Sequence, residues 1–237
     1  MPSDAPPLPT GDRLATTGEA PAVAVWDLPI RIFHWGLVAL IAFSWWSAEN
    51  HRTQWHMWSG FAVLFGLLFR IGWGLVGSST ARFASFVRGP RGLMRYFGDT
   101  SAWTAVGHSP LGALSVVAML GLLAAQVGFG LILVDEEGEF SGPLAHLVDD
   151  QTSELARTTH HALFNVVLGF IILHVAAILY YRVVKRRRLI GAMVRGSSRE
   201  YSPGTTALVA GKPLRLILCL VIAAALTAWI VAGAPPF

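Results

Sequence analysis

The chain is poor in the residues that build soluble, disulfide-braced or cluster-bearing proteins. It has one cysteine, Cys219, in 237 residues. That count excludes an intramolecular disulfide, a cysteine-ligated iron–sulfur cluster and covalent C-x-x-C-H haem attachment, and leaves Cys219 to pack as a small hydrophobe. Charge is scarce as well: 14% of residues are charged and 54% hydrophobic, with a mean hydropathy of +0.54. Soluble domains carry about 25% charged residues, so the balance points to a membrane protein. No internal repeat is evident, and the five apolar runs described below do not divide into halves as in repeat-built transporters. The first 25 residues, rich in Pro, Ala and Gly, hold no basic head followed by an apolar run. They read as a flexible tail rather than a cleaved signal peptide, with the first span kept as a signal anchor.

A helix needs about 20 apolar residues to cross a bilayer. Five stretches qualify, at about 28–48, 56–77, 111–134, 159–184 and 214–233. Charge between them is segregated. Arg82, Arg88, Arg91 and Arg95 stand against Asp99 after the second stretch. Arg182, Lys185, Arg186, Arg187, Arg188, Arg195, Arg199, Lys212 and Arg215 stand against Glu200 after the fourth. Between the third and fourth the sign reverses, with Asp135, Glu136, Glu137, Glu139, Asp149, Asp150 and Glu154 facing only Arg157. Lys and Arg gather on the cytoplasmic side. The expected orientation therefore has the N-terminus cytoplasmic, the 135–158 loop outside and the C-terminus periplasmic. Topology and anionic lipid account for the net charge of +4, so no nucleic-acid partner is expected. Trp26, Trp45, Trp46, Trp55, Trp58, Trp73 and Trp229 fall towards span ends, where amphipathic rings form an interfacial belt.

Four histidines, His34, His56, His160 and His174, fall inside these stretches. An ionisable residue within hydrocarbon is costly and marks a functional site by default. Depth pairs them. His34 lies early in the first span and His174 deep in the fourth, both towards the cytoplasm, whereas His56 and His160 open inward-running spans near the outer face. His160 and His174 are fourteen residues apart, about 40° around the helix and roughly 21 Å along it. Two stacked haems, each with two axial imidazoles, need this arrangement, and bis-His iron suits electron transfer. His161 lies roughly 140° from His174 on the same helix and is expected to make structural contacts only. His51, His108 and His146 are expected to be solvated or capping.

Arginine presents a planar fork to carboxylates such as haem propionates. Arg31 lies one turn before His34, and Arg70 fourteen residues after His56. Arg52 and Arg157 stand near the outer pair, with snorkelling to the interface as the alternative role for each. Gly60, Gly112, Gly121, Gly128 and Gly130 allow either close helix approach or room for a flat macrocycle. Arg31, Arg70 and Gln126 are also candidate quinone contacts.

These residues resemble a known family. The segment from Val25 to Trp35, with Asp27, Pro29, Arg31 and His34, is similar to the first-span motif of bacterial cytochrome b561 and the nickel–iron hydrogenase b-type subunit. His56-x3-Gly60-x9-Arg70-x2-Trp73-Gly74 with Ala81-Arg82-Phe83 resembles the second span and its loop. Gly107 to Ala113 resembles the entry to the third span, and His160-x4-Asn165-x8-His174 the fourth. The likeness covers about residues 24–195. It implies a di-haem b-type cytochrome that exchanges electrons with the quinone pool, with ligands on the first, second and fourth spans. The acidic 135–158 loop and the fifth span lie outside the pattern.

The expected fold is an all-α membrane protein: a four-helix transmembrane di-haem bundle plus a fifth C-terminal transmembrane helix. The expected division is a flexible cytoplasmic tail at 1–24, the cytochrome bundle at 25–195, and a linker with the fifth span at 196–237. Two non-covalent b haems are expected, with His34 paired to His174 and His56 to His160, and Arg31 and Arg70 beside them. Expected partners are membrane lipid, a quinone as substrate, and a cytochrome c or a hydrogenase or dehydrogenase subunit at the outer face of the bacterial inner membrane. The competing reading is a free-standing oxidoreductase passing electrons between superoxide or another small molecule and quinone. A permease with proton-relaying histidines is the transport alternative.

Overall fold

The computed structural model describes residues 22–87, 89–98, 106–201 and 205–235. The tail at 1–21, and Arg88 and Asp99 of the charge balance above, lie outside the described residues. Among the described residues, five helices are long and apolar enough to cross a membrane. They are α1 (Leu28–Glu49), α2 (Thr53–Val76), α5 (Pro110–Ile132), α6 (Asp150–Val183) and α8 (Pro213–Val231). Short helices α3 (Phe83–Phe86), α4 (Pro90–Gly98) and α7 (Leu189–Arg195) lie between them, and the strands β1 (Val23–Ala24) and β2 (Ser197–Ser198) pair antiparallel.

Local sequence explains where the spans begin. Asp27 caps α1 by accepting from the Ile30 amide at 3.0 Å, with Pro29 in the first turn. Ser109 caps α5 by accepting from Gly112 at 3.1 Å, ahead of Pro110. Short polar acceptors at the cap and proline in the first turn are the usual helix-start chemistry, because the first amides lack partners within the helix.

The fourth span departs from the sequence expectation. It begins at Asp150, nine residues before the apolar run, because Asp149 accepts from the Thr152 amide at 2.7 Å and starts the helix in polar sequence. Hydrogen bonding from the Thr152 side chain first, and then from its amide, holds the Asp149 carboxyl below its usual range. His160 therefore sits well inside α6, and the acidic loop is shorter than expected. The remaining loop folds back on the bundle: Gly142 donates to the Leu133 carbonyl at 2.8 Å, and Ser153 Oγ accepts from Val134 at 2.9 Å.

The expected boundaries at 24 and 196 fall within bonded structure. Gly196 accepts from the Val25 and Trp26 amides, and Leu208 donates to Ala24. Gly196 closes α7 with φ +82°, and a Cβ there would lie 2.8 Å from the Trp26 carbonyl, so only glycine fits without strain. The chain before α1 and the chain after α7 thus meet at one end of the bundle, which also holds Lys185–Arg188, Arg195, Lys212 and Arg215. This is called the basic end below, and the opposite one, with Glu136 and Asp149, the acidic end.

Helix α2 is the hub. It packs against α1 on one side and α8 on another and also touches α5, which in turn packs on α6. One apolar cluster, between α2, α8 and the start of α1, contains Ile30, Phe69, Trp73, Ala81, Cys219 and Ala223. A second draws on four spans: Leu37 and Ile41 from α1, Val63 and Leu67 from α2, Leu123 from α5, and Val167 from α6. Residues one or two turns apart on each helix supply it, as a common inward face requires.

Candidate functional site

The second apolar cluster lies along the bundle between two sets of histidines. At the acidic end, His56 of α2 and His160 of α6 face each other with ring centroids 6.0 Å apart and planes at 87°. Each ring is anchored from behind. His56 Nδ1 lies 2.9 Å from the Ser44 carbonyl of α1, with Ser44 Oγ at 3.2 Å. His160 Nδ1 lies 2.8 Å from the Gln126 carbonyl of α5. A carbonyl only accepts, so both Nδ1 atoms carry the proton and both Nε2 atoms keep their lone pairs. His161 is exposed on the neighbouring face of α6.

At the basic end, His34 of α1 and His174 of α6 are within electrostatic reach of each other. His34 Nδ1 is enclosed and has no hydrogen-bond partner among the described residues. Arg70 is buried, 3% exposed, with its guanidinium carbon 4.7 Å from the centre of the Phe83 ring and Nη1 enclosed without a partner among the described residues. Stacking on an aromatic face partly offsets the cost of burying that cation. Asp27 is near enough to interact with it, while its own oxygens are committed to the Ile30 amide and, at 2.8 Å, to Trp73 Nε1. Arg31 donates to the Val194 carbonyl, and its Nε is enclosed without a partner among the described residues.

The structure differs from the sequence expectation for several neighbours. His108 is neither the cap of α5 nor solvated. Ser109 caps that helix, and the His108 ring lies 4.6 Å from both Trp26 and Phe86, with Nδ1 enclosed and without a partner among the described residues. Burial first, then the positive Arg70 and the His174 ring, push its pKa down to about 3. Arg157 is committed to Glu136 and Glu154. Arg52 is exposed at the start of α2. Gln126 is built into the helix contact: its Nε2 donates to the His160 carbonyl at 3.0 Å. His51 and His146 are exposed, as expected.

Sequence reasoning missed the roles of Ser44, Asp27 and His108. Asp27 ahead of Leu-Pro was legible as a cap. The Ser44 and Gln126 acceptors are backbone carbonyls, which leave no side-chain signal.

The glycines divide into two kinds. A Cβ at Gly130 would lie 3.1 Å from His160 Cε1, so Gly130 lets the His160 ring approach α5. A Cβ at Gly60 or Gly128, both half-buried, would meet nothing within 4 Å among the described residues.

This donor set fits a b-type haem. A metal–imidazole bond is about 2 Å, so two imidazoles on one ion have centroids roughly 6 Å apart, the separation of His56 and His160. A ligating imidazole also donates its other N–H to a carbonyl or carboxylate, which fixes tautomer and ring orientation. Both rings at the acidic end do so. Gly60 and Gly128 leave a cradle for a flat group beside them. At the basic end the unpartnered Nη1 of Arg70 suits a carboxylate.

The sequence model of the family described as prokaryotic cytochrome b561 matches residues 25–196 of this chain. No curated protein matches it. The match spans well over half of the chain, which therefore belongs to the prokaryotic cytochrome b561 family, a family of b-haem-binding membrane proteins of electron transfer.

Proposed function

We propose that this family member binds two non-covalent haems, one between His34 and His174 and one between His56 and His160, and connects the quinone pool to a redox partner. The observation that carries the reading is the opposed pair His56 and His160, each ring with its Nδ1 proton given to a neighbouring helix. Haem held by two imidazoles exchanges single electrons and keeps no open position for a gas or substrate.

The residues of the chain do the rest. The Ser44 and Gln126 carbonyls hold the outer rings in one tautomer and orientation. Arg70 and Arg31 place positive charge at the basic end, where it is effective because little water screens it. That charge holds haem propionates and stabilises negative charge developing on a quinone, so quinone reacts at that end. The proposed orientation follows the charge asymmetry, with the N-terminus and the basic end cytoplasmic. The acidic end, with Glu136, Glu137 and Glu139, then faces a partner outside, a basic cytochrome c or a hydrogenase or dehydrogenase subunit, because complementary charge steers encounter.

The test is stopped-flow absorption on purified protein. A short-chain quinol analogue should reduce bound haem, and an external one-electron acceptor should reoxidise it. Haem that external reductants reduce but quinol does not would overturn the quinone role.

A further inference from the structure

The helix α8 lies wholly beyond the matched region 25–196 and yet builds a site with α2. At the basic end the two helices border a groove of about 500 Å³, lined by Leu75 and Val76 of α2, Arg82, and Arg215, Leu218, Cys219 and Ile222 of α8. Its composition is ordered along the helices. Arg82 and Arg215 stand at the helix ends, and from Arg215 the apolar wall runs two turns into the span as far as Ile222. Beside the groove α2 and α8 lie close together, so that a Cβ on Gly72 would stand 3.4 Å from Cys219 Sγ, in van der Waals contact.

We propose that this groove binds one anionic phospholipid, its phosphate between Arg82 and Arg215 and an acyl chain along Leu75, Leu218 and Ile222. Charge complementarity selects that occupant. The lining holds two cations and no acid, and neither guanidinium has a carboxylate partner among the described residues. Arg215 is oriented by a hydrogen bond from Nη1 to the Val76 carbonyl at 3.2 Å, which leaves its other N–H groups to donate elsewhere. Basic pockets between membrane helices at the headgroup level suit acidic lipid heads, which carry a permanent phosphate charge, whereas a quinone carries negative charge only while it is being reduced or oxidised. The bound lipid would also fill the seam between α2 and α8, so it would hold the last span against the hub helix.

The experiment is native mass spectrometry of the full-length holoprotein released from vesicles of equal phosphatidylglycerol and phosphatidylcholine. One phosphatidylglycerol should stay bound per chain in preference to phosphatidylcholine. Each basic residue near the headgroups contributes enough to change retention about fivefold, and two about thirtyfold. Arg82→Gln and Arg215→Gln should each lower the preference about fivefold and the double variant about thirtyfold, while Arg82→Lys with Arg215→Lys keeps most of it. Arg182→Gln with Arg186→Gln, a control at the same end, should change nothing. The single and lysine variants decide the matter if the double glutamine variant does not fold, with haem content per chain as the folding check. Unchanged preference in both single variants would overturn the proposal. So would equal loss of both lipids, or extraction of quinone in place of phospholipid.

Discussion

Gln126 and His160 hold each other reciprocally across the α5–α6 contact. The imidazole Nδ1–H donates to the Gln126 carbonyl at 2.8 Å, and Gln126 Nε2 donates to the His160 carbonyl at 3.0 Å. The second bond ties up an amide, while its Oε1 is enclosed and has no partner among the described residues. The imidazole of His160 is thus fixed in rotation and tautomer before any ligand arrives, which limits the reorganisation that binding requires.

Gly130 makes that contact possible, and its replacement is the sharpest test of the ring's position. A Cβ would lie 3.1 Å from His160 Cε1, and overpacking of this kind costs about 1–3 kcal/mol where the neighbour cannot yield. Gly130→Val should therefore shift the absorption spectrum and midpoint potential of one haem and leave the other unchanged. Spectra and redox titrations of the purified variant report both.

The histidines should fail in pairs. His56→Ala and His160→Ala are expected to lose the same haem, and His34→Ala and His174→Ala the other. His161→Ala should leave both in place, because that side chain is exposed while His160 faces His56. Haem content per chain across the five variants is the measurement. Bleaching by the His161 variant with retention in the His160 variant would reverse the assignment.

Arg70 is expected to matter for quinol oxidation. Removing a preorganised positive group beside developing negative charge slows such reactions on the order of a hundredfold. Arg70→Gln should slow haem reduction by a quinol analogue, with oxidation at the acidic end by an external acceptor unchanged. If Arg52 or Arg157 variants slowed quinol reaction instead, the quinone site would lie at the acidic end.

His108 gives the protein an acid-sensitive limb. Its pKa is pushed down to about 3 in the folded state, against roughly 6.5 for an unperturbed imidazole. The unfolded chain binds the extra proton between those values, so the stability is present in full above pH about 6.5 and is lost as pH falls towards 3. His108→Phe should show a smaller drop in melting temperature between pH 7.5 and pH 4.5 than the parent. An identical drop in both would show that the proton is bound elsewhere.

Much of the architecture was legible because the membrane imposes it. Apolar runs placed the ends of α1, α2, α5 and α8 within a few residues, since a spanning helix must stay apolar over its whole buried length. The start of α6 was hidden, because Asp149 and Thr152 begin it in acidic sequence where hydropathy carries no signal. Helical phase separated His160 from His161 by placing only the former on the side of His174, and in the structure His160 faces His56 while His161 is exposed. The enclosure of His108 was not legible. It depends on Trp26 and Phe86, which are 82 and 22 residues away in the chain, and no local pattern joins them. Similarly, α8 looked peripheral by sequence but packs on the hub through Gly72 and Cys219.

The central claim is that one chain carries two haems, each held by two histidines. The most direct measurement is low-temperature electron paramagnetic resonance of the oxidised, purified protein, calibrated by a pyridine haemochrome assay on haem extracted with acid acetone. The account predicts about two extractable b haems per chain and low-spin ferric signals from both, as two strong-field imidazole ligands require. A single haem per chain, haem that resists extraction, or a high-spin signal from an iron with an open position would contradict it.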